Sequence, residues 1–318
     1  MREQQQGVAL LVVLLILALM TAISSSITVR YGQILLRSLA QFEYKQAKWY
    51  ALGAEALAEK ILQADFRKSP NKTDLTQNWA QQEHQFLSEW PELIGQIEDA
   101  QACFNINSLN QRSTSYPDRV FLQLLKNLGI EPLQATQVTI ALRDRFDNDR
   151  AILIRGDEVY MTQNSPYLAT NQPMQDISEL RTISGIDSHL YRQLLPYICT
   201  LPNQRLLVNV NTLHESKGVL LSALFLNKLA PSSATQLLQQ RPQEGWESVS
   251  EFLALQQLQG INTSVSKEVL SVKSDFFQVY ISSQLENEHV MQYSLLQRTG
   301  NNVHVVWRKY GLSMMVMP

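Results

Sequence analysis

From Val8 to Val29 the chain reads VALLVVLLILALMTAISSSITV, 22 residues without a charge. A helix of about 20 residues crosses the hydrocarbon core of a bilayer. Lipid offers the backbone no hydrogen-bond partners, so such a segment must satisfy its own polar groups as a helix. The seven residues before it, Met1 to Gly7, are polar and carry Arg2, and Arg30 closes the run. A short basic flank stays on the cytoplasmic side, so the rest of the chain is expected to cross the membrane.

Three kinds of N-terminus share this look. A secretory signal would be cut after small residues, for which Ser24-Ser25-Ser26 would serve, and a plain anchor would be kept whole. A prepilin signal is cut on the cytoplasmic side, at a glycine, and Gly7 stands at the polar-to-apolar junction. The residues beyond the apolar run separate the three. From Tyr31 to Arg67 there is no proline, and glycine occurs only at Gly32 and Gly53. Apolar residues recur at Ile34, Leu35, Leu39, Phe42, Trp49, Leu52, Ala56, Ile61 and Leu62, mostly three or four apart. Ser69-Pro70-Asn71 stops the pattern. One unbroken helix, half in lipid and half amphipathic, is what a cleaved signal peptide gives no reason for.

Gly7 followed by a continuous apolar helix resembles the leader and stem of type IV pilins and pseudopilins. The resemblance implies that a prepilin peptidase cuts after Gly7 and methylates the new amine of Val8. Most members carry a glutamate at the fifth mature position, where this chain has Val12. That departure resembles the K-type minor pseudopilin of type II (general) secretion, whose opening V-A-L-L-V-V-L-L-I-L is closely matched. A carboxylate in lipid is costly unless paired. In such filaments it is thought to pair with the amine of the neighbouring, earlier-inserted subunit, and a first or tip subunit has no such neighbour. Further matches occur in the family's order: Phe104-Asn105-Ile106-Asn107-Ser108-Leu109, Asp144 to Asp149, Tyr160, Pro166-Tyr167 and Asn171 with Leu168 replacing an arginine, Ser178-Glu179-Leu180-Arg181 with Gly185, Val208-Asn209-Val210-Asn211-Thr212, and Gly245-Trp246 with Glu251-Phe252.

Beyond the stem, residues 97–109 alternate weakly and predict a strand, and residues 112–118 read as a loop. Helical patterns then dominate at Val120–Leu128, Ala135–Arg145, Ser178–Ser184, Ser188–Ile198, Leu213–Lys228, Ser232–Gln240, Val249–Gln257 and Ser264–Val272. Alternation returns at Phe276–Gln284, His289–Arg298 and Val303–Lys309, with a turn at Thr299-Gly300-Asn301-Asn302. Strands flanking a helical block predict an α+β fold with an inserted domain. The expected division is leader 1–7, membrane helix 8–29, stem 30–68, a small antiparallel α/β domain from 69–112 and 274–318, and an all-helical insertion at 113–273. Inside the insertion SELRTISGI (178–186) and SEFLALQQLQGI (250–261) form a weak repeat. Each resembles a helix-hairpin-helix unit, but the hairpins Gly185-Ile186-Asp187 and Gly260-Ile261-Asn262 lack the second glycine, and Asp187 would repel phosphate. With a net charge of −2 the chain makes no case for nucleic acid.

Asp144, Asp147, Asp149, Asp157 and Glu158 crowd one stretch and repel one another unless a cation compensates. Hard oxygen ligands on a flexible loop suit Ca²⁺, and the family resemblance implies calcium in the soluble domain. The competing reading is a solvated turn neutralised by Arg143, Arg145, Arg150 and Arg155. Cys103 and Cys199 are the two cysteines. In an oxidising periplasm they suggest a disulfide, the alternative being two buried thiols. No phosphate-binding glycine loop, HExxH or GxSxG occurs, and the five histidines are scattered.

The reading is structural rather than enzymatic: a single-pass inner-membrane protein with its C-terminal domain in the periplasm, starting or capping a type II secretion pseudopilus. The resemblance implies as partners the I- and J-type minor pseudopilins, prepilin peptidase and the inner-membrane assembly platform. The stem seam is expected around Phe42, Trp49, Leu52 and Ala56. The alternative is a minor pilin of a type IV pilus, for adhesion or DNA uptake, and a third reading is an anchored periplasmic enzyme. Mass spectrometry of the mature chain should find a methylated Val8 at the N-terminus. Gly7→Val should retain the leader, because a β-branched side chain crowds the scissile backbone. A chain beginning near residue 27 would refute this.

Overall fold

The computed structural model describes residues 3–81, 84–85, 93–109, 115–146, 172–286 and 288–311. One helix, α1 (Glu3–Lys68), runs 66 residues without a break. At 1.5 Å per residue it is about 100 Å long. Its upper part lies on a five-stranded antiparallel sheet ordered β1 (His84–Gln85), β2 (Leu93–Asp99), β7 (Phe276–Leu285), β8 (Glu288–Thr299) and β9 (Asn302–Tyr310). The three long C-terminal strands fall where alternation predicts them. The first does not: β2 starts earlier, at Leu93, and ends at Asp99, and the rest of the expected strand at 97–109 is a turn, a two-residue strand at Phe104–Asn105 and a 3-10 turn at Ile106–Leu109. Asp99 accepts the amide of Gln101 at 2.7 Å, which bends the chain out of the sheet.

The helix and sheet share one core. Ala47, Ala51, Ala54, Ala58, Leu62 and Phe66 pack on Leu93, Ile97, Phe277, Val279, Ile281, Val290, Leu296 and Val303. The stem's sheet-facing stripe is therefore mostly alanine, at spacings of three and four, and small side chains let helix and sheet approach closely. Of the larger apolar residues picked out by periodicity, Leu62 joins this core with Ile61 beside it, while Ile34, Leu35, Leu39, Phe42 and Trp49 are exposed.

Between β2 and β7 the chain folds a second core, from Ala102 to Val272. It starts earlier than the expected 113, because Ala102–Leu109 belongs to the helical block. The block is two copies of one plan. In the first, β3 (Phe104–Asn105) pairs in parallel with β4 (Ile198–Cys199); in the second, β5 (Val208–Asn209) pairs in parallel with β6 (Leu270–Ser271). The leading asparagine accepts the amide two residues on, Asn105 from Asn107 at 3.2 Å and Asn209 from Asn211 at 3.0 Å. The second asparagine clasps a distant backbone amide and carbonyl, of Met174 by Asn107 and of Trp246 by Asn211. Two helices come next in each copy: α2 (Tyr116–Asn127) and α3 (Pro132–Phe146), then α5 (Gly218–Leu224) and α6 (Pro231–Gln239). A capped turn succeeds them, and the Glu of each Ser-Glu pair accepts backbone amides at its start, Glu179 from Gln175 and Asp176, Glu251 from Glu247. Gly185 and Gly260 then turn the chain with φ of +87° and +82°.

Several expected helices are shorter. Ser178–Ser184 is a 3-10 turn at Ile177–Thr182. Ser188–Ile198 is α4 (Ser188–Leu194), with Leu195 as its cap; Pro196 next to it has no amide to carry the hydrogen-bond ladder further. Leu213–Lys228 is a 3-10 turn and α5, ended by Leu226 and Asn227 at positive φ. Val249–Gln257 is α7 (Val249–Leu253) and a 3-10 turn. Ser264–Val272 is a 3-10 turn, Ser266–Val269, leading into β6, because β5 offers its edge to Leu270 and Ser271. The second Gly-Ile hairpin therefore lacks its second α-helix.

One buried carboxylate ties stem to sheet. Glu55, 3% exposed, sits among the alanines. It accepts from Gln292 Nε2 at 2.8 Å, from Arg308 Nε at 2.9 Å, from a second Arg308 nitrogen and from the Ser294 hydroxyl. The hydrogen bond to Glu55 raises the Arg308 pKa above its usual value. Removing one partner of a buried pair leaves the other charge unmatched. Glu55→Ala should lower unfolding stability by about 3 kcal/mol, read as a fall in the denaturation midpoint. A change under about 0.5 kcal/mol, the range of ordinary surface substitutions, would show that the pair is incidental.

Candidate assembly surface

The stem has two unlike sides. Its alanine stripe and Glu55 face the sheet. The opposite side carries Phe42, 66% exposed, and Trp49, 73% exposed, with Ala56 also exposed and Leu52 half-buried. Phe42, Trp49 and Ala56 are seven apart and so stand in one row along the helix. All four residues expected at the seam are thus brought onto the outward side, with Leu52 at its margin. The sheet-facing stripe was missed by sequence reasoning because alanine barely registers as apolar. Its signal was there as Ala47, Ala51, Ala54 and Ala58 at helical spacing.

Lower down, every large apolar side chain from Val8 to Leu39 is also exposed, including Val12. Among the described residues α1 is the one helix long and apolar enough to cross a membrane. Gly7 lies within that helix, as does Val8.

The helical block is fixed to the sheet through a buried polar seam. Asp99, at the end of β2, accepts from Asn209, Thr212 and Ser274. Burial pushes its carboxyl above the usual carboxylate range against the pull of those bonds. Gln101 accepts the amides of Asp275 and Phe276 and donates to Leu207 at 3.3 Å. The Lys217 amine donates to the Ala102 carbonyl at 2.8 Å, and burial lowers its pKa. The asparagines of the two N-x-N motifs are therefore scaffold residues. Cys103 and Cys199 are bonded, their Cα atoms 5.9 Å apart, so the bridge staples the start of the first repeat to its closing strand. Cys199 also packs in a small cluster with Leu201, Phe276, Leu295 and Trp307, the last three on β7, β8 and β9.

Of the carboxylates expected to hold metal, Asp147, Asp149, Asp157 and Glu158 lie outside the described residues. Asp144 sits half-buried in the last turn of α3. Among the described residues no group of three or more His, Cys, Asp or Glu could hold a metal. One supposed neutraliser is committed elsewhere: Arg145 is buried and paired with Glu179 of the capped turn.

Two family models described as type II secretion system (T2SS), protein K, match residues 102–203 and 208–273. They divide the helical block where the structural repeat divides it. The chain is 48% identical to type II secretion system protein K of Klebsiella pneumoniae, over 98% of each chain. It is 46% identical to the protein of that name from Pectobacterium carotovorum subsp. carotovorum, again over 98% of each, and 31% identical to that of Pseudomonas aeruginosa. Its fold matches a chain in the crystal structure of the GspK-GspI-GspJ complex from enterotoxigenic Escherichia coli. The TM-score is 0.79 and the identity 34%, with 87% of this chain and all of that one covered.

Proposed function

This chain belongs to the type II secretion system protein K family and is a minor pseudopilin, and we propose that it starts or caps the periplasmic pseudopilus at its tip. The carrying observation is the size and placement of the duplicated helical block at the head of a long stem, opposite the end that enters the membrane. Inserted mid-shaft, a block as large as a typical domain would collide with its neighbours, whereas a tip holds it in open periplasm. Family membership favours type II secretion over a type IV pilus. The role is mechanical and needs no catalytic group.

The remaining parts of the reading derive from that position. Prepilin peptidase would remove residues 1–7 and methylate Val8. The helix would anchor the chain once in the inner membrane, with the C-terminal domain in the periplasm, where a Cys103–Cys199 bridge is stable. I- and J-type minor pseudopilins would join it, as GspI and GspJ join GspK in the solved relative. The row Phe42, Trp49 and Ala56, with Leu52 beside it, would form the seam, and the inner-membrane platform would drive assembly. Labelling of isolated filaments should place this subunit at one end. Signal along the shaft would overturn the tip assignment.

Asp144, Asp147, Asp149, Asp157 and Glu158 would bind Ca²⁺ as a structural ion. Their donor chemistry supports this, as does the diversion of Arg145 to Glu179, which takes one neutralising charge away. A ligand held only by the folded state raises its melting temperature. Chelator should lower the melting temperature of wild type, and Asp149→Ala should remove the dependence on calcium while keeping the fold. An identical melting curve with and without chelator would exclude the site.

A further inference from the structure

Both glycines of the stem between Tyr31 and Arg67 lie in one seven-residue row: Gly32, Leu39, Gln46, Gly53. The adjoining row is Leu35, Phe42, Trp49, Ala56, every large member of which is exposed. Glycine is among the least favourable residues in a helix interior, so its presence needs a cause. Among the described residues nothing supplies one. Neither glycine has positive φ, and a Cβ built on either would meet no described atom within 4 Å. The sheet offers no cause, since it packs on the opposite, alanine-lined side.

We infer that the Gly32–Gly53 row is where the backbone of one neighbouring helix comes closest, and that its occupant is the parallel stem of another minor pseudopilin. This rests on the protein K reading and deepens it. A seam that repeats every seven residues belongs to helices crossing at a shallow, left-handed angle of about 20°. Exposed apolar side chains continue up the stem from the membrane-spanning part through Leu35, Leu39, Phe42 and Trp49. Whatever covers it must leave the membrane alongside this helix and run the same way. A pseudopilin stem does so, and the solved relative is a complex with two other such proteins. The two rows set the shape of the contact. Gly32 and Gly53 admit close approach at two points three heptads apart. Phe42 and Trp49 project between those points, so the partner must present small residues opposite them.

The test uses the full chain produced in membranes together with its I- and J-type partners, comparing wild type, Gly53→Ala and Gly53→Leu. With open space around the position, Gly53→Ala should raise the unfolding midpoint by about 2 °C, because alanine is the better helix former. Gly53→Leu should fold normally yet reduce recovery of the complex by about tenfold or more, since its side chain meets only the incoming helix. Undiminished recovery of the complex by Gly53→Leu would overturn the seam. So would a lowered midpoint for Gly53→Ala or an unfolded Gly53→Leu, since the fold itself would then require the glycine. Capture of a second copy of this chain in place of a different pseudopilin would overturn the named occupant. Failure of wild type to recover either partner would instead count against the protein K assembly reading on which the inference rests.

Discussion

Glu55 is held by Gln292 and Ser294 on β8 and by Arg308 on β9. A helix whose buried carboxylate has partners on two strands cannot turn about its axis without breaking those bonds. Alanine packing alone would allow such slippage, because Ala47, Ala51, Ala54 and Ala58 are nearly equivalent in shape. The ion pair therefore acts with Leu62 and Phe66 in fixing which side of the stem meets the sheet, and by subtraction which side is left exposed. Exposure of Phe42 and Trp49 is a consequence of where Glu55 is tied down.

The long helix was legible because its signal is local: an uncharged run, no proline, and helical spacing up to a proline stop. The three C-terminal strands were legible for the same reason, alternation in a strand with one buried face. What escaped was set by distant partners. The bend after β2 depends on Asp99 meeting Asn209, Thr212 and Ser274, residues more than a hundred positions away. The two-residue strands β5 and β6 exist only because they pair with each other, and Leu270 carries no mark of that in its neighbourhood. At the candidate site, the outward residues were found because they are large. The alanine stripe and the meaning of Gly53 became readable only once the sheet's position was known.

The duplication accounts for motifs that look functional in sequence. Asn105 and Asn209, Asn107 and Asn211, Glu179 and Glu251 are buried or capping acceptors in equivalent places. An asparagine amide can take a backbone donor and a backbone acceptor at once, as a missing strand neighbour would. That is what short parallel pairs need, since two residues of ladder satisfy few of the surrounding peptide groups.

The order of the strands along the chain has a kinetic side. Strand β2 lies next to β7, pairing Leu93 with Ser283, yet the whole helical block intervenes in sequence. Closing so long a loop from an unfolded chain is slow, because its entropy is lost before any pairing rewards it. Once the block has folded, the Gln101 side chain accepts the amides of Asp275 and Phe276, and the Ala100 amide donates to the Phe276 carbonyl. These bonds hold the two ends of the loop side by side, and the sheet closes over a gap of a few residues. Until β7, β8 and β9 (residues 276–310) have been made, the stem lacks the strands that cover one side of it. The apolar stem is most vulnerable to wrong partners in that interval, and the last strands to be made determine when it ends.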